Sequence, residues 1–239
     1  MNITSSSAIK LSQRFFNWLV PACCVVCQTN RCSGEQMFCD SCDLQSQYRP
    51  SYCQACGQSF SANLDYCGRC LSQAPMFDNC ICPFEFSGSV KELIWRFKYQ
   101  QQPYLAKPLA KLFCTELDLN NGNLPEALIA VPSHPITLRK RGYNQSNLLA
   151  NEIGKRLNIP VLKQALRKTR HTRKQSQLGL NQRQSNLKNS FELVKLLQVQ
   201  HLAIVDDVIT TSATISEISH TLKKNGVDYT QAWGLAHTP

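Results

Sequence analysis

The sequence predicts an α/β protein, a mostly parallel sheet with flanking helices, preceded by a cysteine-rich module. Three observations carry this expectation. Beyond residue 75, short apolar runs alternate with stretches of helical spacing. Before it, cysteines recur in CxxC pairs. The composition is 43% hydrophobic and 18% charged over 239 residues, enough for one ordinary core and something smaller. The expected division is a helical segment over 1–20, the cysteine module over 21–74 and the α/β domain over 75–239.

The first segment, MNITSSSAIKLSQRFFNWLV, has a short apolar patch from Phe15 to Val20. It lacks a basic region followed by a continuous apolar one, so it reads as an amphipathic helix of the mature chain rather than a signal peptide or membrane anchor. No apolar run approaches the roughly 20 residues that span a bilayer. A cytoplasmic, reducing location follows as the expectation. There, a cysteine-dense segment is better explained by metal than by disulfides.

The module holds most of the thirteen cysteines. Four knuckles succeed one another: Cys24 and Cys27, Cys39 and Cys42, Cys53 and Cys56, Cys67 and Cys70. Two thiolates separated by two residues grip one ion from a tight turn, and two such turns complete a tetrahedral Zn2+ site with Zn–S bonds of about 2.3 Å. Four knuckles therefore make two structural zinc sites, a double zinc ribbon. Sequential pairing gives Cys24, Cys27, Cys39 and Cys42, then Cys53, Cys56, Cys67 and Cys70; interleaved pairing uses the same ligands. Cys23 is an alternative to Cys24, and Cys32 is a spare. Zinc would supply much of this module's folding free energy. Cys80, Cys82 and Cys114 read as core residues of the next domain.

A strand is expected over Asn79 to Phe86, then helices over Val90 to Tyr99 and Tyr104 to Leu117. A buried strand from Ala127 to Val131 ends at Pro132. A helix over Gln145 to Leu157 follows, then a strand from His201 to Val205, a helix from Thr214 to Asn225 capped by Gly226, and a last strand from Tyr229 to Ala236. In such sheets functional loops lie at the carboxyl ends of the strands.

One such loop carries readable chemistry. In IVDDVITTSAT, residues 204–214, the acid pair Asp206 and Asp207 follows the strand, and Thr210, Thr211, Ser212, Ala213 and Thr214 open a helix. Hydroxyls and backbone N–H groups at a helix N-terminus bind phosphate. Adjacent carboxylates accept hydrogen bonds from a ribose diol, or hold Mg2+ through water. The loop thus suits a ribose 5-phosphate, above all that of phosphoribosyl pyrophosphate (PRPP). Charge adds an anionic partner: between Val131 and Ser190 there are 13 Lys and Arg against one acid, Glu152, a net +12 within a chain of net +10. Aromatic residues are sparse in that stretch, with Tyr143 alone before Phe191.

IVDDVITTSAT resembles the PRPP loop of type I phosphoribosyltransferases. With the double ribbon, and with PMFDNCICPFEFSGSVKELIWRFKYQ, VPSHPITLRKRGYNQSNLLA and RHTRKQSQLGLNQRQSNLKNSF, the chain resembles the ComF family over residues 20–239. That family includes the proteins called GntX. The resemblance implies that Asp206 and Asp207 meet the ribose hydroxyls as catalytic and binding residues, and that Thr210 to Thr214 cradle the 5-phosphate. It implies that Val131, Pro132 and Ser133 face pyrophosphate, with Arg139, Arg141, Gly142, Asn144 and Gln145 as the next block, and that Arg170, Thr172, Gln175 and Arg183 lie in a stretch closing over the ligand. Mg2+ would accompany PRPP. Further implied are a role in natural competence or use of external DNA, competence proteins or single-stranded DNA as partners, and phosphoribosyl transfer to an acceptor as the candidate reaction. Where the family usually has Gly, this chain has Ser212. A Cβ there crowds the phosphate or disfavours positive φ, or its hydroxyl donates a bond. No C-terminal hood follows the last strand, so the segment before the sheet is expected to cover the site, with the zinc module as one candidate for that cover.

Overall fold

The computed structural model describes residues 23–29, 32, 37–42, 44, 48–49, 51–59, 64–119, 124–169 and 189–238. The expected helix over 1–20 lies outside them, as do Arg170, Thr172, Gln175 and Arg183. The chain divides into two compact units, residues 1–46 and 47–239. The first contains the first four-cysteine group. The second contains the other group together with the whole α/β sheet.

In the second unit the elements are α1 (Gly68–Ser72), β1 (Asn79–Ile81), β2 (Phe84–Glu85), α2 (Gly88–Tyr99), α3 (Ala106–Leu119), β3 (Ala127–Ala130), α4 (Pro135–Arg141), α5 (Gln145–Leu157), β4 (Leu166–Lys168), β5 (Phe191–Leu193), β6 (His201–Ile209), α6 (Ala213–Lys223) and β7 (Tyr229–His237). Five strands form one parallel sheet in the order β1-β7-β6-β3, with β2 also paired to β7. The expected strand over 79–86 is broken in two at Pro83, which has no N–H to give a ladder. A separate antiparallel pair, β4 with β5, had no counterpart in the sequence reading.

The sheet is covered on both faces, as parallel sheets are. Ile215, Ile218 and Leu222 of α6 join a core with Ala127, Ile129, Leu202, Ile204 and Ala232, which alternate along their strands. The opposite face receives α3 and α5: Phe113 packs against the fully buried Trp233 at 5.4 Å between ring centroids. Gly154 of α5 lies so close to the chain after it that a Cβ would stand 2.6 Å from the Ile159 carbonyl oxygen.

β6 extends beyond its expected end. Val208 and Ile209 continue the ladder opposite Ala236 and His237, so the acid pair sits within the last part of the strand rather than after it. Val208 and Ile209 are buried, and that burial pulls the chain on in extended form.

Candidate functional site

The carboxyl ends of β3 and β6 are neighbours, because Ala130 pairs with Val205 and the Val131 N–H donates to the Val205 carbonyl at 3.0 Å. Val131, Pro132 and Ser133 therefore emerge beside Asp206 and Asp207. Asn144 ties this edge down: its Nδ2 donates to the Val131 carbonyl at 3.0 Å while its Oδ1 accepts from the Asn147 N–H, capping α5. Gly142 ends α4 in the left-handed region at φ +82°. Arg139 is exposed, whereas the Arg141 guanidinium lies over the Tyr99 ring and donates to Gln145 Oε1 at 3.3 Å.

Each acid is held on one oxygen. Asp206 Oδ1 accepts from Ser146 Oγ at 2.9 Å and from the Asp207 N–H at 2.9 Å. Asp207 Oδ1 accepts from the Val208 N–H at 2.8 Å and pairs with Lys98 Nζ at 2.9 Å. Among the described residues, the second oxygen of each carboxylate takes no hydrogen bond or ion pair. Burial, then the charge of Asp207, push the Asp206 carboxyl up to about 7, against the pull of Lys98 and Ser146. Burial works against the Lys98 ammonium, but Asp207 and Asp206 outweigh it and raise its pKa. Lys98 and Ser146 are site residues that the sequence did not single out. Both sit within amphipathic helices, where a Lys or Ser carries no signal of its own. Of the cations on β4, Arg167 turns to Glu192 at 3.1 Å, while Lys168 lies within electrostatic reach of Asp206.

The loop that follows carries the hydroxyls of Thr210, Thr211 and Ser212 to the start of α6. Thr210 is exposed, and Ala213 and Thr214 begin α6. Thr211 Oγ1 is shielded from solvent and has no partner among the described residues. A buried hydroxyl in that state is costly unless a ligand satisfies it. Ser212 is in the left-handed region, φ +59° and ψ −4°. Its hydroxyl donates to the Cys56 carbonyl at 3.3 Å.

That contact belongs to a wider one, in which the second cysteine group lies on this edge of the sheet. The Cys80 N–H donates to the Gln54 carbonyl at 2.6 Å. The buried Arg49 donates to the Cys82 carbonyl at 3.1 Å, to the Gly57 carbonyl and to Ser59 Oγ at 2.7 Å, and stands over the Tyr52 ring. Gly57, at φ +78°, is required at this seam: a Cβ would come within 2.7 Å of Cys80 Sγ.

Both cysteine groups fit a tetrahedral ion. In each, the four sulfurs lie within 4.8 Å of one another, and the pairing is sequential. A tetrahedron with Zn–S bonds of about 2.3 Å has edges of about 3.8 Å. Cys56 Sγ and Cys67 Sγ are 3.8 Å apart, and Cys27 Sγ and Cys39 Sγ 3.9 Å. Cys24, not the exposed Cys23, joins the first group. The Cys67 thiol is opposed by burial, but the Cys70 N–H and the neighbouring thiols bring its pKa down to about 7, towards the ligating thiolate.

Fold and site together define a class of protein: a parallel α/β sheet with an acid pair and a hydroxyl-rich loop at its carboxyl edge, carrying a cysteine-rich module of zinc-ribbon type. No family model matches the chain. It is 36% identical over 229 residues to Competence protein F of Haemophilus influenzae, covering 93% of this chain and 98% of that protein. It is 30% identical over 223 residues to the DNA utilization protein YhgH of Shigella flexneri and of Escherichia coli K12, covering 92% of this chain and 98% of each. The chain belongs to the ComF family. Among the described residues no helix is long and apolar enough to cross a membrane.

Proposed function

We propose that the protein binds PRPP with Mg2+ at the carboxyl edge of the sheet, holds two structural Zn2+ ions, and serves the uptake or use of DNA. The observation that carries the pocket is the pairing of two half-satisfied carboxylates with an unpartnered, shielded Thr211 hydroxyl at the mouth of α6. The acids accept the ribose hydroxyls. Thr210, Thr211 and Thr214, with the first N–H groups of α6, take the 5-phosphate. Residues 131–133 and Lys168 would meet pyrophosphate, with Mg2+ neutralising its charge; Arg170, Thr172, Gln175 and Arg183, outside the described residues, are assigned there by the resemblance alone. The DNA role is drawn from the names of the relatives, a competence protein and DNA utilization proteins.

A pocket of this kind supports phosphoribosyl transfer when an acceptor nucleophile is aligned with the anomeric carbon as pyrophosphate leaves. The test has two parts. PRPP binding is measured on the wild type and on Asp206→Asn/Asp207→Asn; equal affinity refutes the pocket. Pyrophosphate release is then followed with and without candidate acceptors. Release that requires an acceptor establishes transfer, and tight binding without release establishes a PRPP sensor.

A further inference from the structure

The basic stretch contains almost no aromatic residues, but the fold brings aromatics to it from another part of the chain. The inner face of α2 buries Val90, Leu93, Ile94 and Phe97. Its outer face carries Trp95 and Tyr99, one turn apart, 49% and 58% exposed, with ring centroids 6.3 Å apart. The Arg141 guanidinium, from the end of α4, stands 5.0 Å over the Tyr99 ring. Arg139 and Lys140 lie exposed beside it in sequence.

This arrangement is braced from behind. Gln145, which accepts from Arg141, donates to the Lys98 carbonyl at 3.4 Å. The Tyr143 hydroxyl donates to the Phe97 carbonyl at 2.5 Å, and the two rings are 6.0 Å apart. The turn between α4 and α5 is thus fastened to α2, and Arg141 is pre-set on Tyr99. Two large rings left in water add nothing to the core, which α2 already fills from its other side. An apolar protein partner would bury the rings but would strand three adjacent cations without counter-charges. A single nucleic-acid strand offers a π-face and a phosphate at every residue, and so matches both.

We propose that Trp95, Tyr99 and Arg141 form a stacking platform for single-stranded DNA, with Arg139 and Lys140 on its phosphates. Duplex DNA keeps its base faces stacked inside and cannot use the rings. The proposal rests on the DNA-handling part of the function above; Trp95 and Tyr99 lie outside the residues assigned to PRPP, whereas Arg139 and Arg141 belong to the block that the resemblance implies beside it.

The experiment is fluorescence anisotropy of a labelled oligo-dT with the full-length, zinc-loaded protein at two salt concentrations, with PRPP binding measured on the same samples. Trp95→Ala and Tyr99→Ala each weaken oligo-dT binding by about tenfold. Trp95→Phe, which keeps a ring, restores most of it. Arg141→Ala weakens binding and lowers the salt slope by about one. Leu196→Ala and Lys155→Ala, exposed elsewhere, bind as the wild type does. Unchanged PRPP binding in Trp95→Ala shows that the variant is folded. Wild-type oligo-dT affinity in both ring variants overturns the platform, as does equal or tighter binding of a duplex of the same length. Absence of oligo-dT binding at low salt alongside intact PRPP binding refutes the platform and spares the pocket. The converse refutes the pocket and spares the platform.

Discussion

Replacing Ser212 by alanine and by glycine separates two opposing effects at the point where the second cysteine group meets the phosphate-type loop. Alanine keeps the left-handed backbone at φ +59° and loses the bond to the Cys56 carbonyl. At 3.3 Å that bond is long, so its loss costs about 1 kcal/mol, the lower end for a buried acceptor left unsatisfied. Glycine loses the same bond but recovers the left-handed penalty, about 1–2 kcal/mol, and gives back about 0.5–1 kcal/mol in backbone entropy. The expected order is therefore Ser212→Ala about 1 kcal/mol below wild type and Ser212→Gly about 0.25 kcal/mol below it at mid-range, between about 1 kcal/mol below and about 0.5 kcal/mol above. For a unit of this size, 1 kcal/mol moves Tm by about 2–4 °C. Thermal unfolding of the zinc-loaded protein measures this, and calorimetric titration with PRPP measures the loop. Because the Cys56 carbonyl is positioned by a knuckle of the metal group, stripping the metal should weaken PRPP binding about fivefold in the wild type, the equivalent of that same hydrogen bond, and less in Ser212→Gly. Two results would overturn this linkage: an alanine variant with wild-type Tm and affinity, or PRPP affinity unchanged after metal analysis confirms loss of zinc.

Three other outcomes follow from the same region. Asp206, raised to about 7 by burial and by Asp207, must be ionised to accept a diol. PRPP binding should therefore strengthen as pH rises through about 7, by more in the wild type than in Asp206→Asn, which shares only the titration of the ligand phosphates. His237 is held down to about 4 from 6.5, first by burial and then by Arg49, and its Nε2 has no partner among the described residues. Its neutral form is the folded one, so the stability it contributes is complete above about 6.5 and is lost as pH falls towards 4, an effect on the order of 3 kcal/mol. Urea melts of wild type and His237→Gln across that window should diverge, and parallel curves would rule this out. Arg49→Ala leaves the Cys82 and Gly57 carbonyls without their donor and should cost about 3 kcal/mol, and Arg49→Lys should recover only part, because an ammonium cannot span the two carbonyls and Ser59 at once. Denaturant midpoints and zinc retention check it.

Much of this was legible in the sequence because it rests on patterns with a period or a spacing. The buried runs at 127–131 and 201–205, the helices at 90–99 and 145–157, and the four knuckles announce themselves by apolar periodicity and by CxxC spacing. Helix α4 was not foreseen, since Arg139, Lys140 and Arg141 mask any apolar face; its local signal was Pro135 at the first turn after His134, whose side chain accepts from the Ile136 N–H. Lys98 and Ser146 reach the acid pair from helices separated from it by about a hundred and by sixty residues of chain, and no local pattern encodes such a meeting. The aromatic platform escaped for the same reason: the cations belong to one segment and the rings to another. The docking of the second cysteine group escaped for a different one. Its bonds run to the carbonyls of Gln54, Cys56, Gly57 and Cys82, and every residue type carries a carbonyl.

That main-chain character explains how the chain can have serine where the resemblance leads one to expect glycine. Glycine in a left-handed loop is permissive, so nothing outside the loop is needed to hold it. Serine at φ +59° is strained and persists only where surroundings over-determine it. Here the surroundings are a turn of a four-cysteine group, itself fastened to the sheet by Arg49 and by the Cys80 N–H. The hydroxyl offsets the strain by a bond that exists only while that turn is in place. The second cysteine group is thereby a wall of the proposed ligand site, and the shape of the loop at Ser212 becomes linked to the state of that group.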